Sequence, residues 1–304
     1  MTRVPGVVGQ RPKRLVPPYD YDSRPECGRM SRLAPPLSHS HRTMADTPPA
    51  SSSETEAISR NHAEADIGLV AALHMEVAPF AGRCLPVQSY VGEKFRIQGL
   101  LLHDTRLAVV ESGAGAVRAT RATHTLLDGH SPKWVLSIGF SGALQPHLKV
   151  GDLVVANAIV NAEGKGLSVP VQMLSAPSDG LYVGKFLNTD QIVRTVADKK
   201  QLGESTGAIA VDLESLAVAR VCAERNVRFM AVRVISDDLL KDLPPEVLTV
   251  FGGTGFVRAG AVLSALWKRP SSWSDLWQLR EQSVLAAARL GVFLRNVVER
   301  LGEV

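Results

Sequence analysis

Cysteine is scarce. Cys27, Cys84 and Cys222 are three in 304 residues, odd in number and far apart. They make neither a disulfide framework nor a metal cluster, and such usage fits a reducing, cytoplasmic setting. Aromatics are only 5% of the chain, and net charge is only +4. With no basic run beside aromatic residues, nucleic-acid binding is not indicated. No apolar stretch reaches the roughly 18 residues that a membrane span needs, and the N-terminus lacks the apolar core of a signal peptide. What is present is a chain 45% hydrophobic and 21% charged, enough for one or two soluble domains with a sizeable core.

The first 66 residues differ from the rest. They hold nine of the 18 prolines (Pro5, Pro12, Pro17, Pro18, Pro25, Pro35, Pro36, Pro48 and Pro49) together with ASSSETEA. Such composition predicts a disordered extension over 1–66, within which Met44 offers a second start of translation. A domain is expected over 67–304.

From Ile67 a rhythm sets in. IGLVAAL (67–73) is a continuous apolar run, as in a strand buried on both faces. RLAVVESGAGAV (106–117) and KWVLSIGFSGAL (133–144) are strands running into Gly-rich turns, and RATRATHTLLDG (118–129) has helical spacing and a Gly stop. VGDLVVANAIV (150–160) follows. AIAVDLESLAVARVCAERN (208–226) begins as a strand and becomes a helix, and RFMAVRVISDD (228–238) is apolar except for Arg233 until it ends in acids. Strand, glycine or acid, helix, strand predicts an α/β fold with a mainly parallel sheet and helices outside. From Trp267 to Leu301 the pattern is one or two amphipathic helices broken near RPSSW.

Glu76, Ser112, Gly113, Gly115, Gly139, Ser141, Gly142, Glu214 and Asp237 all fall just past strands. In a parallel sheet those ends gather on one edge, where ligands sit. Glycines there let a ligand reach the backbone. Carboxylates accept from sugar hydroxyls, and an acid–base pair of them breaks a glycosidic bond. Two familiar motifs do not apply. SGAGAV lacks the Lys-Ser/Thr of a phosphate loop. GFSGAL lacks the last glycine of a nucleophile elbow, and no downstream histidine is placed to complete a triad with Ser141.

Four blocks carry a resemblance: IGLVAALHMEV (67–77), ESGAGAVRATRAT (111–123), LSIGFSGALQPHLKVGDLVVA (136–156) and GAIAVDLESLAVARVCAERNVRFMAVRVISDD (207–238). In order, they resemble the nucleoside phosphorylase superfamily, and within it the 5′-methylthioadenosine/S-adenosylhomocysteine nucleosidases. The resemblance implies a three-layer α/β/α fold around a mostly parallel mixed sheet, no cofactor or metal, a homodimer, and hydrolysis of an adenine nucleoside to free adenine. By position, Glu76 matches the acid that activates water, and Asp237 the acid that protonates the purine at N7. Glu214 matches the carboxylate on the ribose hydroxyls. Ser112, Gly113 and Ser236 belong to the same pocket. Leu213 stands where the family has a methionine under the sugar, keeping volume but losing the polarizable sulfur. Phe186, with Leu187 beside it, matches the aromatic that stacks on adenine.

Departures from the family pattern leave alternatives open. The segment 161–207 is short, and TDQIVRTVADKKQLGESTGAIAVDLES (189–215) looks like the hopanoid-linked branch, which implies adenosylhopane as substrate. In that branch Trp267, Trp273 and Trp277 beside Lys268 and Arg269 would suit a face touching a bilayer, against the plainer role of a packing or dimer helix. Futalosine hydrolase, a phosphate-dependent purine nucleoside phosphorylase and a non-catalytic nucleoside-binding module are the other readings. Glu76 would repel phosphate and SIGFSG holds no arginine, so water is the expected nucleophile.

Overall fold

The structure is a computed structural model that describes residues 64–245 and 272–303, with side chains of the final helix from residue 281. All but the last three positions of the proline-rich extension lie outside the described residues. So do Met44, the break near RPSSW, Trp267, Lys268, Arg269 and the side chains of Trp273 and Trp277. Among the described residues, ten strands join one sheet.

Its middle is parallel. Strand β1 (Ile67–Ala71) has all five residues buried, as its unbroken apolar run requires. It lies between β4 (Thr105–Glu111) and β5 (Trp134–Ala143), parallel to both, and β5 is parallel to β10 (Arg228–Asp237). At one edge β4 continues antiparallel into β3 (Phe95–Leu102) and β2 (Leu85–Gly92). The sequence carries no clear signal for this hairpin, because β2 is exposed along most of its length and shows no clean alternation of polarity.

The other half closes on itself. β10 pairs antiparallel with β6 (Leu153–Val160), β6 parallel with β8 (Leu181–Asn188), and β8 parallel with β9 (Ala210–Asp212). β9 then returns antiparallel to the far end of β5. A short strand, β7 (Gly166–Ser168), flanks β6. Short pairings of β9 close the ring, joining the end of β8 to the end of β5. β5 is long enough to serve the open sheet with its first half and the ring with its second.

Helices cover both faces, making three layers. The sheet residues alternate: Leu69, Val109 and Leu136 face one side, and Val70, Val110 and Val135 the other. On the first side lie α1 (His74–Ala81) and α5 (Ser272–Gly302). Ala286, Leu290, Phe293, Leu294, Val297 and Val298 of α5 are buried, at helical spacing. Over the residues whose side chains are described, α5 is therefore a core-packing helix. No helix among the described residues is long and apolar enough to cross a membrane. On the second side lie α2 (Ala116–His130) and α4 (Ser215–Glu224), through Ala119, Ala122, Leu126, Val218 and Val221. Helix α2 does not stop at Gly129 as its sequence suggests. It runs one residue further, and Ser131 takes the left-handed cap position with φ 44°. The remaining helix, α3 (Val196–Thr206), packs at the ring end of the sheet.

One close approach sets where α1 sits. A Cβ on Gly291 of α5 would lie 2.9 Å from the backbone nitrogen of Phe80. Only glycine lets the two helices meet at this distance, and α1 carries Glu76. Gly291→Ala should destabilise the fold by roughly 1–3 kcal/mol through overpacking, read as a lower Tm in thermal melts. The exposed Val284→Ser on the same helix should stay within about 0.5 kcal/mol of the parent. Equal melting of the two variants would contradict the close contact.

Candidate active site

A guanidinium lies beneath the carboxyl edge of the sheet. Arg233, in the middle of β10, is almost fully buried at 1% exposure. A buried charge must be paired, because its desolvation costs several kcal/mol. Its Nη2 is 2.7 Å from Asp212 Oδ2 and donates to Ser137 Oγ at 2.9 Å, and its Nη1 donates to the Val232 carbonyl at 3.0 Å. Asp212, at the end of β9, is itself held by the Ser215 hydroxyl and by Asn188 Nδ2, 3.0 Å from Oδ1. The Nε of Arg233 is buried with no hydrogen-bond partner.

Two further carboxylates share this field. Glu76, in the first turn of α1, accepts from the backbone N–H of Leu73 at 2.8 Å and of Phe140 at 3.0 Å. Burial holds its carboxyl above the ordinary carboxylate range, with those backbone donors and the Arg233 charge pulling the other way. Glu214, at the start of α4, accepts from Gly115 N–H at 2.7 Å, at the turn into α2. Burial, and then the Asp212 carboxylate, push Glu214 up to about 7, opposed by Arg233 and the Gly115 N–H. The Glu76 charge also raises it, so Glu76, Glu214 and Arg233 belong to one electrostatic cluster.

Asp237 joins through β5. It stands in register with Gly142, and a Cβ on Gly142 would lie 3.0 Å from Asp237 Oδ2. Three residues earlier on β5, a Cβ on Gly139 would lie 2.6 Å from Glu76 Oε1. Both glycines are there because a carboxylate occupies the space a side chain would take. At about 3.3 Å per residue, the two glycines are roughly 10 Å apart along β5. Asp237 ends half-buried, with Oδ1 2.7 Å from Ser236 Oγ and Oδ2 against the ammonium of Lys199.

The other expected site residues are placed unevenly. Ser112 is buried just past β4, its Oγ 2.8 Å from the Gly113 carbonyl and 3.2 Å from that of Ala71, so it belongs to the same edge. Leu213 is half-buried between Asp212 and Glu214. Phe186 and Leu187 are fully buried on β8. Phe186 packs in an apolar cluster with Ala143, Val154, Ala156 and Ala210, and Leu187 with Leu144, Ala208 and Val211. Neither has surface left for a ligand in this arrangement. Three charged residues of the site went unassigned from sequence: Asp212, Lys199 and Arg233. Arg233 did carry a signal, as the one charge inside an apolar strand.

Fold and site together define an α/β protein that gathers carboxylates and glycines at the carboxyl edge of its strands. A family model described as the phosphorylase superfamily matches residues 66–251, and the chain belongs to that superfamily. It is similar to the 5′-methylthioadenosine/S-adenosylhomocysteine nucleosidase of Staphylococcus aureus (strain MRSA252), 24% identical over 195 residues that cover 56% of this chain and 86% of the relative. Among solved structures it is similar to the Helicobacter pylori nucleosidase of the same name bound to butyl-thio-DADMe-Immucillin-A, with TM-score 0.56, 21% identity, and coverage of 78% and 99% of the two chains. The futalosine hydrolase of Helicobacter pylori superposes with TM-score 0.57 and 20% identity, over 79% of this chain and 100% of that one. These structural likenesses carry the fold.

The raised Glu214 pKa has a thermodynamic consequence. A carboxyl that holds its proton more tightly folded than unfolded contributes stability that is complete below its unfolded value, 4.5, and is lost as pH rises through about 7. Glu214→Gln removes that component. Thermal melts across this window should show the Tm of the parent falling relative to the variant as pH rises. Parallel curves would contradict the raised value.

Proposed function

We propose that this chain is a nucleosidase that hydrolyses the N-glycosidic bond of an adenine nucleoside and releases adenine. The observation that supports it most directly is the pair of acids, Glu76 and Asp237, set against Gly139 and Gly142 of one strand, with Glu214 in the same electrostatic cluster as Glu76. Its relatives at 24% identity bear the name 5′-methylthioadenosine/S-adenosylhomocysteine nucleosidase, which favours a 5′-thio-substituted adenosine as substrate. The homodimer and the cytoplasmic setting that the resemblance implies belong to the same proposal.

In this mechanism a water attacks C1′ of the ribose and passes a proton to Glu76. A carboxyl whose burial favours the protonated form is suited to accept it. The C1′–N9 bond breaks, its electron pair goes to the base, and Asp237 delivers a proton to N7 so that adenine leaves neutral. Glu214 accepts from ribose hydroxyls, and its negative charge stabilises the cationic sugar of the transition state. Arg233 balances the cluster from below without leaving its contact with Asp212.

Water rather than phosphate is favoured as nucleophile. The position beside the sugar is held by Glu76, and the arginine nearest the cluster is already bound to Asp212 and Ser137. The test is purified protein with methylthioadenosine, S-adenosylhomocysteine, adenosylhopane and futalosine, with and without phosphate, following free base. Base release without phosphate is expected, and release only with phosphate would overturn the hydrolytic assignment. Asp237→Asn and Glu76→Gln should each lower kcat by about 10²–10⁴, and Asp237→Asn should also melt lower, because it takes the carboxylate from the buried Lys199 ammonium. Parent-like turnover in either would remove that residue from its role.

A further inference from the structure

Lys199 is a fully buried lysine, at 0% side-chain exposure, whose Nζ meets Asp237 Oδ2 and also donates to the Asp238 carbonyl at 3.2 Å. Lysine is rarely found so deep, and its burial is costly unless the charge is answered. The pair is lopsided: the ammonium is dry, while Asp237 keeps 14% of its side chain exposed. The carboxylate is thus the end of the pair that a ligand can reach.

The fold goes to some length to bring Lys199 there. On α3, Lys199 and Gly203 are four residues apart and share a face. A side chain on Gly203 would strike the Leu144 carbonyl just past β5, so glycine lets this face lie close against the strand that carries Gly142. Gln145 Nε2, 3.0 Å from the Ala208 carbonyl and 3.5 Å from that of Gly203, ties the same corner. The helix start is bound to the segment that follows Asp237: Val196 N–H donates to Asp242 Oδ1 at 2.7 Å, and Arg194 Nη1 to the Leu243 carbonyl at 2.9 Å. Lysine, helix and acid are therefore locked as one unit.

We propose that Lys199 is a positioning residue for the proton donor. It acts through Asp237, fixing the carboxyl group with Oδ2 turned to the ammonium and neutralising the negative charge that arises as the proton leaves. The role rests on Asp237 being the acid of the nucleosidase. The pair in the structure is ammonium and carboxylate, so a proton from solvent first enters at the exposed side of Asp237; in the step it moves to N7, the C1′–N9 pair goes to the base, and the water proton goes to Glu76. Asp237 is left as a carboxylate facing an ammonium, the contact present in the structure. Once Asp237 carries the proton, the negative charge that develops in the transition state opposite a fixed, dry cation is stabilised more than the neutral acid, so the benefit falls on kcat. Ser236 Oγ, 2.7 Å from Asp237 Oδ1 and 3.3 Å from the Ser141 carbonyl, orients the other oxygen.

The test is a double-mutant cycle on the full chain, with whichever of the four nucleosides above releases base fastest. Lys199→Met should lower kcat about tenfold or more with KM within about twofold. Added to Asp237→Asn, it should cost nothing further, because its effect passes through the carboxylate. Losses that multiply in the double variant, or a Lys199→Met enzyme within about twofold of parent kcat, would overturn the inference. If Lys199→Met fails to fold, the double variant, which buries neither charge, is compared with Asp237→Asn alone and decides the same question. Full activity in Asp237→Asn sinks the acid assignment itself, and release of base from none of the four sinks the nucleosidase and this role with it.

Discussion

A positive charge buried in the middle of a sheet cannot stay unanswered, and the site is organised around that requirement. Arg233 sits at 1% exposure beneath the strand ends. Asp212 meets it directly, and Glu76 and Glu214 feel it through space. Without that guanidinium, three buried carboxylates from β9, α1 and α4 would repel one another in a low-dielectric interior. With it, they are held close. Glu214 rises to about 7, and Glu76 rises by burial against two backbone donors.

Strand β5 translates this electrostatic arrangement into geometry. Its first half is paired with β1 and its second half with β9, while β10 runs along it. It thus touches both the open sheet, where Glu76 is delivered by α1, and the closed ring, where Asp237 and Lys199 meet. Gly139 and Gly142 leave room for the two carboxylates on one rigid element. Acids carried by a helix and a strand that both pack on β5 keep their positions better than acids on independent loops.

Much of this was legible in the sequence. The strands over 67–71, 105–111, 134–143, 153–160 and 228–237 follow from apolar runs, several of which end in glycine or acid. That Glu76, Ser112, Glu214 and Asp237 would share one edge follows from their place after those strands. The hairpin β2–β3 was not legible, since exposed edge strands carry mixed side chains without a period. Phe186 is a different case. An aromatic in GKFLN suggests a stacking surface, yet the ring faces an apolar cluster, and which side of β8 turns inward is set by its pairing with β6 and β9.

Sequence by itself determined which residues carry charge and where strands stop, because apolar runs and their punctuation are local properties of the chain. Only the tertiary structure decided which charges meet. Lys199 reads as one of two lysines on a polar helix, and nothing near it in the chain says that it is buried. Its partner lies 38 positions away. The contact exists because Gly203 lets α3 press against the end of β5 and because Asp242 holds the start of that helix. Burial of a helix face is a property of what packs on it, and that information is spread over the whole fold rather than written beside the lysine.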